Sequence, residues 1–343
     1  MKILVYLGTG GVGKTSVAAA TALAMARAGE RTLVLTIDPA LRLRSALRLQ
    51  EGLLEQQVPL DPPASGELWA ALLDVRATLD DAVRMYAKAG MVDRILNHPI
   101  YATIADSLVG MQELMAVERI DQLAKRGFDS LVIDTAPSRH ALEFLDKPMY
   151  FSELVGSNWV KLVGRTYKWM ATSPMASLSE KVLDVYARVE AILGTDLVRQ
   201  VLDFYSIFVS IAEGYAERAV KTVALLKDPA ITEFRIVTTP RKAMRDTRFF
   251  LDALESRQFR TGGVFVNRTW ELDGAAAGEG LVGSLAEWYA AVRQSHAAEL
   301  DSLRGEFDAR VPFIATLPEL DSDVDGLPAL ERIGAWVAAR AVT

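Results

Sequence analysis

No cysteine occurs anywhere in the 343-residue chain. That absence excludes disulfides, zinc–thiolate sites and iron–sulfur clusters. Basic residues are not in excess either: 38 Lys and Arg stand against 44 Asp and Glu, a formal net charge of −6. A surface for a phosphate backbone normally needs a basic excess, so no nucleic-acid partner is expected. No segment offers the roughly 20 consecutive apolar residues that a membrane-spanning helix requires. The opening run MKILVYLGTGG is interrupted by glycine too soon for a secretory leader, so the expected compartment is the cytoplasm. There is no internal repeat. What is present is globular in character, half hydrophobic and about a quarter charged, and long enough for one large domain or two ordinary ones.

Short β-rich runs alternate with helical stretches at both ends of the chain. Ile3–Leu7, Thr32–Ile37, Trp69–Val75, Ser130–Ile133, Phe234–Thr239, Gly263–Asn267 and Pro312–Thr316 read as strands. Several are apolar without alternation, as expected of strands covered on both faces. The fold expectation is therefore α/β, a P-loop nucleotide-binding architecture with a doubly wound, mostly parallel sheet. Between about Pro148 and Leu226 no strand is evident, and Gly156, Gly164, Pro174 and Gly194 read as helix breaks. This divides the chain into a nucleotide-binding domain, 1–147 and 227–343, and an inserted helical subdomain, 148–226. Residues 271–284 read as a surface loop.

Gly8-Thr9-Gly10-Gly11-Val12-Gly13-Lys14-Thr15 fits the pattern GxxxxGK[ST] at every position. It follows a strand and opens a helix, the context in which such a loop binds phosphate. The glycines let backbone N–H groups turn inward, and the helix N-terminus adds a field that favours an anion. Lys14 is placed to reach the β- and γ-phosphates, and the Thr15 hydroxyl to ligate Mg²⁺, with Ser16 next in the loop. Only one such loop occurs, so the chain is not a tandem duplicated ATPase.

Asp38 ends the second strand in TIDPA, and Asp134 ends the strand LVID. Ligands of open α/β sheets sit beyond the carboxyl ends of the strands. Both carboxylates can therefore face the γ-phosphate and Mg²⁺, one holding the metal's water shell and the other orienting the attacking water. An aspartate before Pro or Thr also serves as a helix cap; two such residues flanking a complete phosphate loop favour the catalytic role.

These residues resemble the ArsA family of ATPases, which includes arsenite-pump ATPases and the ATPase that targets tail-anchored membrane proteins. GTGGVGKTS is similar to the family phosphate loop, TIDPALRLRSAL (36–47) to its switch I, and FDSLVIDTAPSRHALEFLDKP (128–148) to its switch II. NHPIYATIADSLVGMQELMAVERI (97–120) is similar to a segment of bacterial members. VFVNRT (264–269) matches the strand whose Asn contacts adenine, and VPFIATLPELDSDVDG (311–326) the loop that covers the base. The resemblance implies an ATP- and ADP-binding, Mg²⁺-dependent ATPase working as a dimer. It implies that Asp38 positions water, Asp134 supports the metal, Asn267 reads adenine and Pro318 opens the base-covering loop.

Three departures from the family pattern matter. The family's additional lysine, which reaches the partner's phosphates across the dimer, is Thr9 here; Arg139 and Arg42 are candidate replacements. The family's zinc-binding CxxC is missing, so a dimer is held without that metal. No thiol is available for arsenite. In the family the helical insert responds to nucleotide and, in targeting enzymes, holds a hydrophobic client; here it carries Trp159, Val160, Leu162, Val163, Trp169 and Met170, then FYSIFVSI at 204–211. Ordinary helix–helix core has the same spacing. The expected function is an ATP-hydrolysing dimeric switch, a homodimer or a heterodimer with a paralogue, acting on a hydrophobic client or membrane component. The alternative is a nucleotide-binding regulatory subunit with weak turnover, paired with a lysine-bearing paralogue. A membrane- or DNA-organising ATPase is less well supported, because the C-terminal ALERIGAWVAARAVT has few basic residues.

Overall fold

The computed structural model describes residues 1–38, 42–88, 90–107, 111–137, 139–156, 195–270, 281–321 and 323–341. Five successive buried residues make β1 (Lys2–Leu7) a strand covered on both faces. The same holds for β2 (Arg31–Thr36), β5 (Ser130–Asp134) and β6 (Thr232–Thr238). With β3 (Glu55–Val58), β4 (Glu67–Leu72), β7 (Thr261–Thr269) and β8 (Ile314–Pro318) they form one eight-stranded sheet in the order β3-β4-β2-β5-β1-β6-β7-β8. Every pairing is parallel except β3 with β4. This is the expected doubly wound α/β sheet.

The helices among the described residues are α1 (Lys14–Arg27), α2 (Arg42–Leu47), α3 (Val75–Tyr86), α4 (Val92–Leu96), α5 (Pro99–Ser107), α6 (Met111–Ala124), α7 (Glu143–Gly156), α8 (Thr195–Lys227), α9 (Ala243–Ser256), α10 (Leu281–Phe307) and α11 (Leu327–Ala341). They belong to two compact units. The first comprises Met1–Leu73, Leu123–Leu142 and Ala224–Thr343 and contains the whole sheet. The second is helical and comprises Asp74–Gln122 and Glu143–Val223. It takes in α3 to α5 and most of α6 in addition to chain from the expected insert.

In the first unit α1 is buried almost all round, which is why it is built of alanine: Ala18, Ala19, Ala20, Ala22 and Ala26 are all 0% exposed. One neighbour is α11, whose Gly334 comes so close that a Cβ there would lie 3.0 Å from the Ala20 carbonyl oxygen. Leu330, Ile333 and Val337 of α11 join α1 in the core. In the second unit a polar network sits between α3, α6 and α8. The Tyr86 hydroxyl donates to Glu118 at 2.7 Å, Gln122 donates to the same carboxylate at 3.2 Å, and Thr222 donates to Asp121 at 3.4 Å.

Several boundaries differ from the sequence reading. The expected strand Trp69–Val75 stops at Leu72, because Asp74 caps α3 by accepting from the Ala77 amide at 2.8 Å. β3, EQQV, is a polar antiparallel edge strand with no apolar run to announce it. Of the expected loop 271–284, residues 271–280 lie outside the described residues and α10 already begins at Leu281. Gly164, Pro174 and the Trp159–Met170 residues lie outside the described residues, as do Pro39, Ala40 and Leu41 of the switch I segment.

Candidate functional site

The chain leaves β1 at Leu7 and turns through Gly8–Gly13 into α1. Gly11 and Gly13 adopt φ of +79° and +86°, a left-handed conformation that a side chain would strain. A Cβ on Gly8 would lie 2.5 Å from the Val237 carbonyl oxygen, and one on Gly13 would collide with the Asn267 amide. The loop thus needs glycine at Gly8 and Gly13 for space and at Gly11 and Gly13 for backbone conformation. Val12 is buried in the core below it.

Asp134 is the hub. It is 0% exposed at the end of β5, with β1 and β2 on either side, where Tyr6 and Thr36 are its register partners. Lys14 Nζ lies 2.9 Å from Oδ1 and also donates to the Thr135 carbonyl. Thr15 Oγ1 donates to Oδ2 at 2.8 Å, and Thr36 Oγ1 to the same oxygen at 3.0 Å. Asp38 follows at the end of β2, 7% exposed, with its amide donating to Thr36 Oγ1 at 3.2 Å. Lys14, Thr15 and Asp134 are therefore brought together directly, and Asp38 is linked to them through Thr36. A hydroxyl and two carboxylates are hard oxygen donors that match Mg²⁺, which normally completes its octahedron with water and phosphate oxygens.

A cleft of about 410 Å³ opens over Lys14 and Thr15, within the size range of small-molecule sites; Asp38, Asp134, Asn267 and Pro318 are not among the residues that line it. Thr9, Gly11–Ser16, Pro137, Arg42, Ser45 and Ala46 line one part of it, and Arg268, Asp323 and Val324 another. Asn267 donates through Nδ2 to the Val12 carbonyl at 2.9 Å, so this amide is tied to the phosphate loop. Pro318 is the last residue of β8, and the next amide, Glu319, donates to Thr269 at 2.9 Å. Arg42 is exposed at the start of α2. Arg139 begins a short 3-10 turn; its side chain lies outside the described residues.

Sequence reasoning passed over four residues at this site. Arg268 follows a register shift between Asn267 and Thr269 and adopts φ of +63°, which directs the chain at the edge of the cleft. Asp246, 0% exposed in α9, accepts from Thr9 Oγ1 at 2.6 Å. Lys242 donates to the Gly10 carbonyl at 3.0 Å. Arg48, just after α2, holds Asp325 with two hydrogen bonds of 3.1 and 2.7 Å and so ties the chain before α11 to the end of α2. The left-handed turn at Arg268 has no glycine to announce it, and the others are contacts between distant segments.

Among the described residues no helix is long and apolar enough to cross a membrane. An Escherichia coli protein named arsenical pump-driving ATPase is 30% identical over 158 residues, 45% of this chain and 27% of that one. A Chlorobaculum tepidum protein is 28% identical over 274 residues, 78% of this chain and 61% of that one. The Arabidopsis thaliana protein named ATPase GET3B is 24% identical over 349 residues, 95% of this chain and 76% of that one. The chain spans about three fifths or less of the length of the two bacterial relatives. Residues 1–338 match the family model described as anion-transporting ATPase, and the chain belongs to that family, ArsA_ATPase.

Proposed function

We propose that the protein binds ATP with Mg²⁺ in the cleft above Asp134, hydrolyses it to ADP and phosphate, and works as a dimer that passes its nucleotide state to a partner. The observation that carries this reading is the grouping of Lys14 and Thr15 on the two oxygens of one buried carboxylate beneath a glycine cradle. In this arrangement Lys14 and Thr15 satisfy Asp134. An arriving triphosphate gives Lys14 a second anionic partner, and its backbone cradle and helix N-terminus favour the same anion. Thr15, Asp38 and Asp134 would hold the metal, which supplies charge neutralisation at the bridging phosphate oxygens. Asp38 orients the attacking water, while Lys14 stabilises charge on the terminal phosphate. Asn267 and Pro318 flank the adenine.

The helical insert, 148–226, is the proposed response element, and its occupant a hydrophobic client or membrane component. Arsenite is a poor candidate cargo, because a chain without cysteine cannot offer thiolates to it. A second reading, a regulatory subunit with weak turnover paired with a lysine-bearing paralogue, is favoured by Thr9, whose hydroxyl is committed to Asp246. Steady-state turnover of the pure protein with Mg·ATP, and its loss in Lys14→Ala and Asp38→Asn, tests the first reading. Tight ATP binding without turnover would select the second, and no nucleotide binding would refute both.

A further inference from the structure

The corner between β6 and α9 touches the outer half of the phosphate loop at three neighbouring residues. Val237 closes on Gly8, Asp246 accepts from Thr9 at 2.6 Å, and Lys242 donates to the Gly10 carbonyl at 3.0 Å. The corner is held by its backbone. β6 runs parallel to β1 with Ile236 opposite Leu7, Pro240 fixes the first residue of the turn, and the Lys242 amide donates to Thr239 at 2.9 Å. Gly10 itself adjoins Pro137, just beyond the Thr135 carbonyl on which Lys14 rests. The Gly10 end of the loop is therefore the end where the terminal phosphate must lie if Lys14 is to reach it.

Taking the nucleotide site proposed above as given, we propose that Lys242 is a phosphate-binding cation acting within the same chain. An ammonium has three donors, and the Gly10 carbonyl takes one. Among the described residues no carboxylate lies within ion-pair distance of Lys242, so its charge is not neutralised there. A short swing of a flexible side chain carries the ammonium from the Gly10 carbonyl to a γ-phosphate oxygen at the rim. A cation supplied in this way, within the chain or from a partner, stabilises the loose transition state of phosphoryl transfer far more than the ground state. Asp246, beside Thr9, takes no phosphate; it keeps the Thr9 hydroxyl turned to the corner and leaves the rim to Lys242.

The test compares binding of fluorescent ADP with Mg²⁺ alone and with added aluminium fluoride, which mimics the transferring phosphate. Wild type, Lys242→Ala, Lys242→Arg, Arg42→Ala and Lys14→Ala are titrated. The expected result is that Lys242→Ala leaves ADP affinity within about twofold but weakens the fluoride complex about 100-fold, with Lys242→Arg retaining most of it. Equal loss for ADP and the fluoride complex would mean that Lys242 only braces the loop, which overturns the proposal. So would an unchanged fluoride complex, or the selective loss appearing in Arg42→Ala instead. Loss of all binding in Lys14→Ala, together with any of these results, leaves the nucleotide site standing. Absence of ADP binding in the wild type would overturn the site and the role of Lys242 with it.

Discussion

Lys14 Nζ and Asp134 Oδ1 form a 2.9 Å ion pair in which the two side chains are 3% and 0% exposed. Removing one member of a buried pair leaves an uncompensated charge, at a cost of about 3–5 kcal/mol. Thr15 and Thr36 still donate to Asp134, which places Lys14→Ala at the low end of that range. We expect Lys14→Ala to abolish ATP binding and also to lower the stability of the ligand-free protein. The double variant Lys14→Ala/Asp134→Asn should recover stability without recovering binding. Urea unfolding beside nucleotide titration checks both; full ATP affinity in Lys14→Ala would remove the phosphate loop from the site.

Asp38 is buried just beyond β2, with its backbone amide held by the Thr36 hydroxyl. Asp38→Asn keeps the size and loses the carboxylate. The expected outcome is retained ATP binding with turnover reduced about 10²–10⁴-fold, the usual worth of a positioned acid–base group. Turnover at the wild-type rate would transfer the water-orienting role to another group, Asp134 first.

The sheet and the glycine-rich turn between β1 and α1 were legible because their signals are local. Apolar runs without alternation marked β1, β2, β5 and β7, and glycine spacing marked the cradle. β3 was missed because a polar edge strand has no burial pattern to display. The extent of the helical unit was also hidden, since helices α3 to α6 have the same periodicity whether they cover a sheet or pack on other helices. At the site, Asp246 and Lys242 approach the loop from more than 200 positions away, as the separations of 237 and 232 residues show. Nothing in the run PRKAMRD distinguishes them from solvated charges at a helix start.

Asn267 spends one amide hydrogen on the Val12 carbonyl, which leaves its other N–H and its oxygen for the base. The wild type should prefer ADP over GDP. In Asn267→Ala that preference should disappear and affinity for both should fall, because the phosphate loop loses its brace. Parallel titrations with the two diphosphates measure this, and equal wild-type affinity for them would take adenine recognition away from Asn267.

In the helical unit, burial raises the Glu118 carboxyl above its ordinary range, opposed by hydrogen bonds from Tyr86 and Gln122. A raised folded-state pKa favours the protonated acid. The stabilisation is fully present below the ordinary carboxylate pKa and is lost as pH rises through the raised value. Glu118→Gln still accepts from Tyr86 and carries no charge. We expect wild type to lose stability relative to Glu118→Gln as pH increases from about 4 toward neutrality. Denaturant unfolding across that interval checks the sign; a constant difference between the two proteins would contradict it.

The Thr9 hydroxyl is a 2.6 Å donor to a fully buried Asp246, which also meets Arg245 at 3.4 Å. Two consequences follow for substitution at this position. Thr9→Val removes the short donor from a buried carboxylate and should destabilise the protein by about 1–3 kcal/mol. Thr9→Lys removes the same donor but places a cation at a position that lines the cleft. A cation there acts on the transition state, so turnover of the isolated protein should rise while ADP affinity stays nearly constant. If Lys242 already supplies one such cation, the gain from Thr9→Lys should be modest in the wild type and much larger in Lys242→Ala, where it restores a missing charge. Rates for the four combinations form a cycle whose coupling reports whether the two positions serve one phosphate. Additive effects would mean that they serve different steps. A large gain already in the wild-type background would mean that the isolated chain lacks its cation, and would favour a lysine-bearing partner as its natural source.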